Sequence, residues 1–240
     1  MDTQLVTPAP KRLHLELDLI ADFACPWSYL GKRSLERALV NLQGFPTPAL
    51  RWHGFRAQPE SKNEVPADTP QSWREHIAAR LPSGVSVDFA HKSLAEAGEG
   101  LGIHFDSSKL GQLPDTREAH RLVALAAKDE KQSEVADRIF RAFFEEGRDI
   151  GDKSVIEAVG RETHLSEETL AAFANPEAGR DEIAAEEKRL RGFGVVATPN
   201  LLINGRVLVP GPADVSTYVQ ALDQALFPQL SGPSSKKHLH

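Results

Sequence analysis

Apolar and polar residues alternate at the start of the chain, with Leu13, Leu15, Leu17 and Leu19 set against His14, Glu16 and Asp18, which predicts a strand with one buried face. The alternation stops at Asp22. Pro26 suits a first helical position, where its missing N–H would be unpaired anyway, and Trp27, Leu30, Leu35, Ala38 and Leu39 roughly keep helical spacing to about Leu42. Gly44 to Pro48 is a breaker, and Leu50 to Phe55 reads as a second strand. Strand, helix, strand predicts a right-handed βαβ unit with parallel strands. A polar, Pro-bearing loop is expected from Gln58 to Thr69, followed by a helix opened by Thr69 and Pro70 and carrying Trp73, Ile77 and Leu81. Helical stripes continue through Val87, Ala90, Leu94, Ala97 and Leu101, through Thr116 to Lys128, and through Val135, Ile139, Ala142 and Phe143. Shorter helices are predicted at Lys153 to Arg161 and from Ser166, and Asn175-Pro176 is expected to open another that runs to about Arg191. Strand signals return only in Leu201 to Ile203 and Val207 to Val209. These flank Asn204-Gly205, the pair that a tight hairpin turn with positive φ requires. A last helix is predicted from Asp214 to Leu226. The long strand-free stretch between two β-containing ends predicts an α/β domain with an all-helical insertion.

Composition narrows the classes of function. With 240 residues, 40% hydrophobic and 26% charged, the chain can bury a substantial core. A formal charge of −6, with no basic block, argues against nucleic acid and anionic membrane as partners. Residues 1–12 and 228–240 are expected to be flexible termini, and the N-terminal stretch has neither a signal core nor a membrane span. The expected location is the cytoplasm. One cysteine agrees with that, since no internal disulfide framework can form. The histidines lack metal spacing, and no phosphate loop or Ser-His-Asp order is present, so no metal and no tightly bound cofactor are expected. His120 reads as a packing residue. Glu145-Glu146, Asp181-Glu182 and Glu186-Glu187 read as solvated helix faces.

The candidate chemistry lies where the first strand ends. Cys25 precedes Pro26 at a helix entrance, where unpaired N–H groups and the dipole favour a thiolate and are expected to lower the thiol pKa. On position alone, Cys25 is equally a nucleophile or a small buried apolar residue. The segment Cys25-Pro26-Trp27-Ser28-Tyr29-Leu30-Gly31 resembles the active-site segment of the DsbA family of thioredoxin-fold proteins, in its FrnE-like branch. Similar segments continue at Asp115 to Leu122, at Phe143 to Ile150, and from Ala197-Thr198-Pro199 into Leu201 to Arg206.

The resemblance implies a thioredoxin-like domain of residues 13–60 and 176–227 around a helical insertion of residues 61–175. It also implies that Cys25 and Ser28 are catalytic. Pro26, Trp27, Thr198 and Pro199 would then bind substrate, with Pro199 cis beside the sulfur and the Thr198 backbone pairing with a peptide or glutathione. Ser28 stands where such sites usually carry a second cysteine, and a hydroxyl cannot resolve a mixed disulfide. The implied activity is thiol-disulfide exchange through one nucleophilic cysteine, with glutathione as co-substrate and a disulfide-containing protein or small thiol as partner. The chain is expected as a monomer or homodimer. The alternatives are a glutathione-dependent isomerase or transferase, through resemblance to 2-hydroxychromene-2-carboxylate isomerases and kappa-class glutathione transferases, and a peptide-binding module without turnover.

Overall fold

The computed structural model describes residues 15–42, 48, 50–56 and 72–228. Its sheet has four strands in the order β2-β1-β3-β4. Strand β1 (Leu17–Ala21) is central and pairs in parallel with β2 (Leu50–Gly54), from Leu17 opposite Leu50 to Ala21 opposite Gly54. On its other side β1 runs antiparallel to β3 (Asn200–Ile203), which pairs with β4 (Val207–Pro210). The β1 sequence explains its place. Leu17, Leu19 and Ala21 point into the main core, whereas Ile20 points the other way and packs with Phe55 and Leu190. Both faces of the strand are therefore covered.

Helix α1 (Pro26–Val40) joins β1 to β2 and packs against α9 (Val215–Leu226), which starts at Asp214, whose carboxylate accepts the Thr217 N–H at 2.7 Å. Between β2 and β3 lie α2 (Trp73–Ala78), α3 (Val87–Glu99), α4 (Arg117–Leu125), α5 (Gln132–Phe144), α6 (Lys153–Glu162), α7 (Glu167–Ala174) and α8 (Arg180–Gly192). No strand interrupts them among the described residues, so the helical insertion is present. The hairpin forms as expected, with Asn204 at φ 51° and Gly205 at φ 64°. No helix among the described residues is long and apolar enough to cross a membrane.

Two helix starts differ from expectation. Helix α2 begins at Trp73, not at Pro70, because Ser72 and Glu75 form a reciprocal capping box; Thr69 and Pro70 lie outside the described residues. Helix α8 begins at Arg180 rather than at Pro176. The buried Arg121 guanidinium explains this, since it takes the carbonyls of Phe173, Asn175 and Ala178 at 2.7–3.2 Å and holds the intervening chain as a turn. The expected N-terminal arm, the breaker from Gly44 to Thr47, the loop from Gln58 to Thr69 and the C-terminal tail also lie outside the described residues, as do Leu13 and His14 of the first strand.

Helix α1 is fixed against the insertion by charge as well as by packing. Lys32 is fully buried, with its Nζ 2.8 Å from Asp137 of α5 and paired to Glu36 one turn along α1. Tyr29 stacks on Phe140 with ring centroids 4.9 Å apart and donates its hydroxyl to Glu145 at 2.8 Å.

Candidate active site around Cys25

The turn Asp22-Phe23-Ala24-Cys25 closes through the Cys25 N–H and the Asp22 carbonyl at 3.2 Å. Phe23 is buried between Trp52 and Phe140, at centroid distances of 4.8 and 5.0 Å, which fixes the end of β1. Cys25 then takes an extended backbone (φ −95°, ψ 111°) as the residue before α1, and its carbonyl accepts the Ser28 N–H at 3.0 Å. Ser28 is fully buried, and its Oγ accepts the Asp22 N–H at 3.3 Å, which leaves the hydroxyl proton free to point toward the sulfur.

The second element of the site comes from far along the chain. The Cys25 thiol donates to the Thr198 carbonyl at 3.5 Å, and the Thr198-Pro199 bond is cis, as expected. Gly31 permits this approach, because a Cβ there would lie 3.1 Å from the Pro199 ring and 3.2 Å from the Tyr218 hydroxyl. Beyond Thr198 the chain exposes Val196 and, further upstream, Phe193. The structure therefore brings Cys25, Ser28, Thr198 and Pro199 together. Pro26 is buried at the first turn of α1, and Trp27 is half-buried against the core.

Behind the turn sits a polar cluster that sequence reasoning missed. Asp22 is buried and accepts the Thr116 hydroxyl at 2.9 Å and the Ala24 N–H at 3.3 Å. His120 Nε2 lies 3.4 Å from the same carboxylate oxygen, too poorly aligned for a hydrogen bond. Trp52 Nε1 donates to His120 Nδ1 at 3.4 Å, and because an indole N–H only donates, the neutral ring carries its proton on Nε2, toward Asp22. The fit is close: a Cβ on Gly54 would meet His120 Nδ1 at 2.6 Å. Adjacency of Asp22 to the cysteine and the Thr116 to His120 spacing along α4 were the available sequence signals.

Helix α2 covers the outer side. Trp73 donates its indole N–H to the Ala24 carbonyl at 2.9 Å, pinning α2 to the residue before the cysteine. Arg80, just past this helix, donates from one Nη to both the Nδ1 and the carbonyl of His76 at 2.9 Å. Burial, then the Arg80 charge, pushes the His76 pKa down to about 4.

Cys25 keeps part of its surface open, yet it is surrounded by dense protein. Burial pushes its thiol up from the ordinary value, and the Asp22 carboxylate adds to the rise. The Ser28 hydroxyl, the nearby Thr198 side chain and the Ser28 N–H pull the other way without reversing it. The expected lowering by the helix entrance is thus corrected: desolvation outweighs the helix-end donors. The Thr198 hydroxyl is buried and has no aligned partner in the resting thiol state.

Of the acidic residues expected on solvated faces, Glu146, Asp181 and Glu182 are exposed, whereas three others differ from expectation. Glu145 accepts from Tyr29, Glu186 lies 2.7 Å from His53 Nδ1, and Glu187 is buried between Arg56 and Arg191. Among the described residues no group of three or more His, Cys, Asp or Glu side chains is arranged to hold a metal ion.

The sequence profile of the DSBA-like thioredoxin domain matches residues 16–223. A relative in Bacillus subtilis, the uncharacterised protein YwbO, is 21% identical over 213 residues, 87% of this chain and 96% of its own. Among solved structures, a probable DsbA oxidoreductase of Streptomyces coelicolor superposes with a TM-score of 0.76 at 23% identity, covering 95% of this chain and 94% of its own. A 2-hydroxychromene-2-carboxylate isomerase gives 0.66 at 14% identity, covering 90% of this chain and 99% of its own. The cytosolic disulfide reductase DsbM of Pseudomonas aeruginosa, solved with GSH, gives 0.57 at 22% identity, covering 89% and 97%. At these identities the likeness is one of fold.

Proposed function

Because the chain belongs to the family of DSBA-like thioredoxin domains, we propose that it is a cytoplasmic thiol-disulfide oxidoreductase that works through Cys25 alone, with glutathione or a similar small thiol as co-substrate. The observation that carries the reading is the placement of a partly open Cys25 sulfur 3.5 Å from the Thr198 carbonyl, beside the cis Pro199. An extended peptide or thiol tripeptide could pair with the Thr198 backbone while presenting its sulfur to Cys25.

The Cys25 thiolate attacks one sulfur of a substrate disulfide. That S–S bond breaks, the other sulfur leaves as a thiolate that takes a proton from water, and a mixed disulfide remains on Cys25. Ser28 carries no thiol to resolve it, so an external thiolate attacks the substrate sulfur and Cys25 departs as thiolate. The net result is exchange: one disulfide is consumed and one formed. Because burial raises the thiol pKa, the thiolate is scarce at neutral pH but a stronger nucleophile once formed.

Intact mass after incubation with oxidised glutathione tests the reading. Addition of one glutathione at Cys25, removed by reduced glutathione, supports it; no adduct overturns it in favour of a binding module. Turnover of a non-disulfide substrate that requires glutathione but leaves no adduct would favour the isomerase or transferase reading.

A further inference from the structure

His53 has both ring nitrogens on carboxylates of different elements, an arrangement the exchange chemistry does not use. It stands on β2, with Nε2 2.8 Å from Asp18 of β1 and Nδ1 2.7 Å from Glu186 of α8. Ionised carboxylates only accept and a neutral imidazole has a single N–H, so both contacts are hydrogen bonds only when the ring is an imidazolium. The other cations around it do not duplicate the bridge. Arg51 ties Asp18 and Glu16 within the sheet, and Arg189 ties Glu186 within α8. Among the described residues of this cluster, His53 alone joins sheet to helix. A neutral ring turns a lone pair toward one carboxylate and breaks the bridge at that end.

Little else docks α8 on this face of the sheet. The apolar cluster beneath it buries Ile20, Phe55 and Leu190, and Glu187 accepts from Arg56 and Arg191. Residues 193–197 connect α8 to Thr198, whose carbonyl takes the Cys25 thiol. Val195, within that connection, packs against the same small cluster.

We infer that His53 is a proton-dependent clamp: as an imidazolium it docks α8 on the sheet and fixes the segment that places Thr198 at the Cys25 sulfur, and on losing its proton it loosens both. The clamp is therefore closed at lower pH and released as the pH rises. Burial raises the Asp18 carboxyl, but Arg51 and His53 more than offset it; burial likewise raises Glu186, and Arg189 and His53 more than offset that. Both carboxylates are thus already charged at neutral pH, and the proton that matters is on the ring. The inference does not rest on the exchange reading.

Amide hydrogen exchange of the full chain between about pH 6 and pH 9 tests it, since imidazoles change charge there and carboxylates do not. Protection factors, corrected for the intrinsic rate at each pH, should fall across residues 180–198 as the pH rises, while α5 stays unchanged. The expected fall is about tenfold or more, the scale of one charged hydrogen bond. His53→Gln, neutral throughout, should show the low protection at every pH. Protection of residues 180–198 that is independent of pH in the wild type overturns the inference, as does a dependence that survives in His53→Gln. Should that variant not fold, Glu186→Ala removes the helix end of the bridge and is read in the same way. A response confined to residues 180–192 overturns the link to Cys25.

Discussion

The Ser28 hydroxyl oxygen accepts the backbone N–H of Asp22 at 3.3 Å, so residue 28 faces back across the turn that holds Cys25. A sulfur at this position would face the same way. Ser28→Cys is therefore expected to form an internal disulfide with Cys25 when treated with an oxidant such as oxidised glutathione, seen as a loss of two hydrogen atoms in the intact mass. Release of a mixed disulfide would then be intramolecular, with an effective molarity of up to about 10⁵ M or more. Disulfide reduction should become much faster with a dithiol reductant and lose its dependence on glutathione. The buried site must accept a larger atom, so a loss of about 1 kcal/mol in stability is expected.

Thr198→Val removes a hydroxyl that favours the charged sulfur and leaves the backbone carbonyl in place. The thiol pKa should rise further, and alkylation by iodoacetamide below that pKa should slow about tenfold for each unit of rise. Thiolate absorbance followed against pH measures the shift. An unchanged titration would show that the hydroxyl does not reach the sulfur.

His76 supplies a pH dependence of stability. Its folded pKa, about 4, is below the ordinary 6.5 because burial, then Arg80, opposes its charged form. The unfolded chain binds the extra proton first, so stability is full above about pH 6.5 and falls as the pH drops toward 4. The loss attributable to this residue is up to about 3 kcal/mol. Urea unfolding across that window should show a drop that is smaller in His76→Gln.

Lys32→Met should be the most damaging single change in α1. It leaves Asp137 and Glu36 facing each other without the buried ammonium between them. Removing one partner of such a cluster costs about 3–5 kcal/mol, whereas replacing charges by apolar groups of similar volume is often neutral. The double substitution of Lys32→Met with Asp137→Leu should recover part of the loss in urea unfolding.

Elements set by local chemistry were legible in the sequence. The β1 alternation and the Asn204-Gly205 turn need only neighbouring residues; β1 ends at Ala21, where the alternation stops, although it starts only at Leu17, and the turn falls on the expected pair. The start of α8 depends instead on Arg121, distant in sequence, which draws in carbonyls that a helix begun at Pro176 would have used. Cys25 shows the same divide. Its helix entrance and its segment Cys25-Pro26-Trp27-Ser28 could be read directly, but the sign of its pKa shift depends on burial to which distant segments contribute. Lys32 and Glu36 have the spacing of an ordinary solvated pair, and only packing of α5 against α1 makes that lysine a buried one.

The arrangement of the sheet also governs when this thiol acquires its surroundings. Strand β1 and Cys25 leave the ribosome early, yet Thr198, which takes the thiol's hydrogen bond, lies 173 residues further on. At about 5–20 residues per second, that interval lasts roughly 10–35 s. Until β3 arrives, β1 has only β2 beside it, and the sulfur lacks one wall of its pocket. Such distant pairing also slows folding. A nascent chain therefore carries a cysteine with the reactivity of an ordinary exposed thiol. The buried, less acidic thiol arises only after the C-terminal hairpin has docked, so delayed loss of labelling during synthesis would report closure of the sheet.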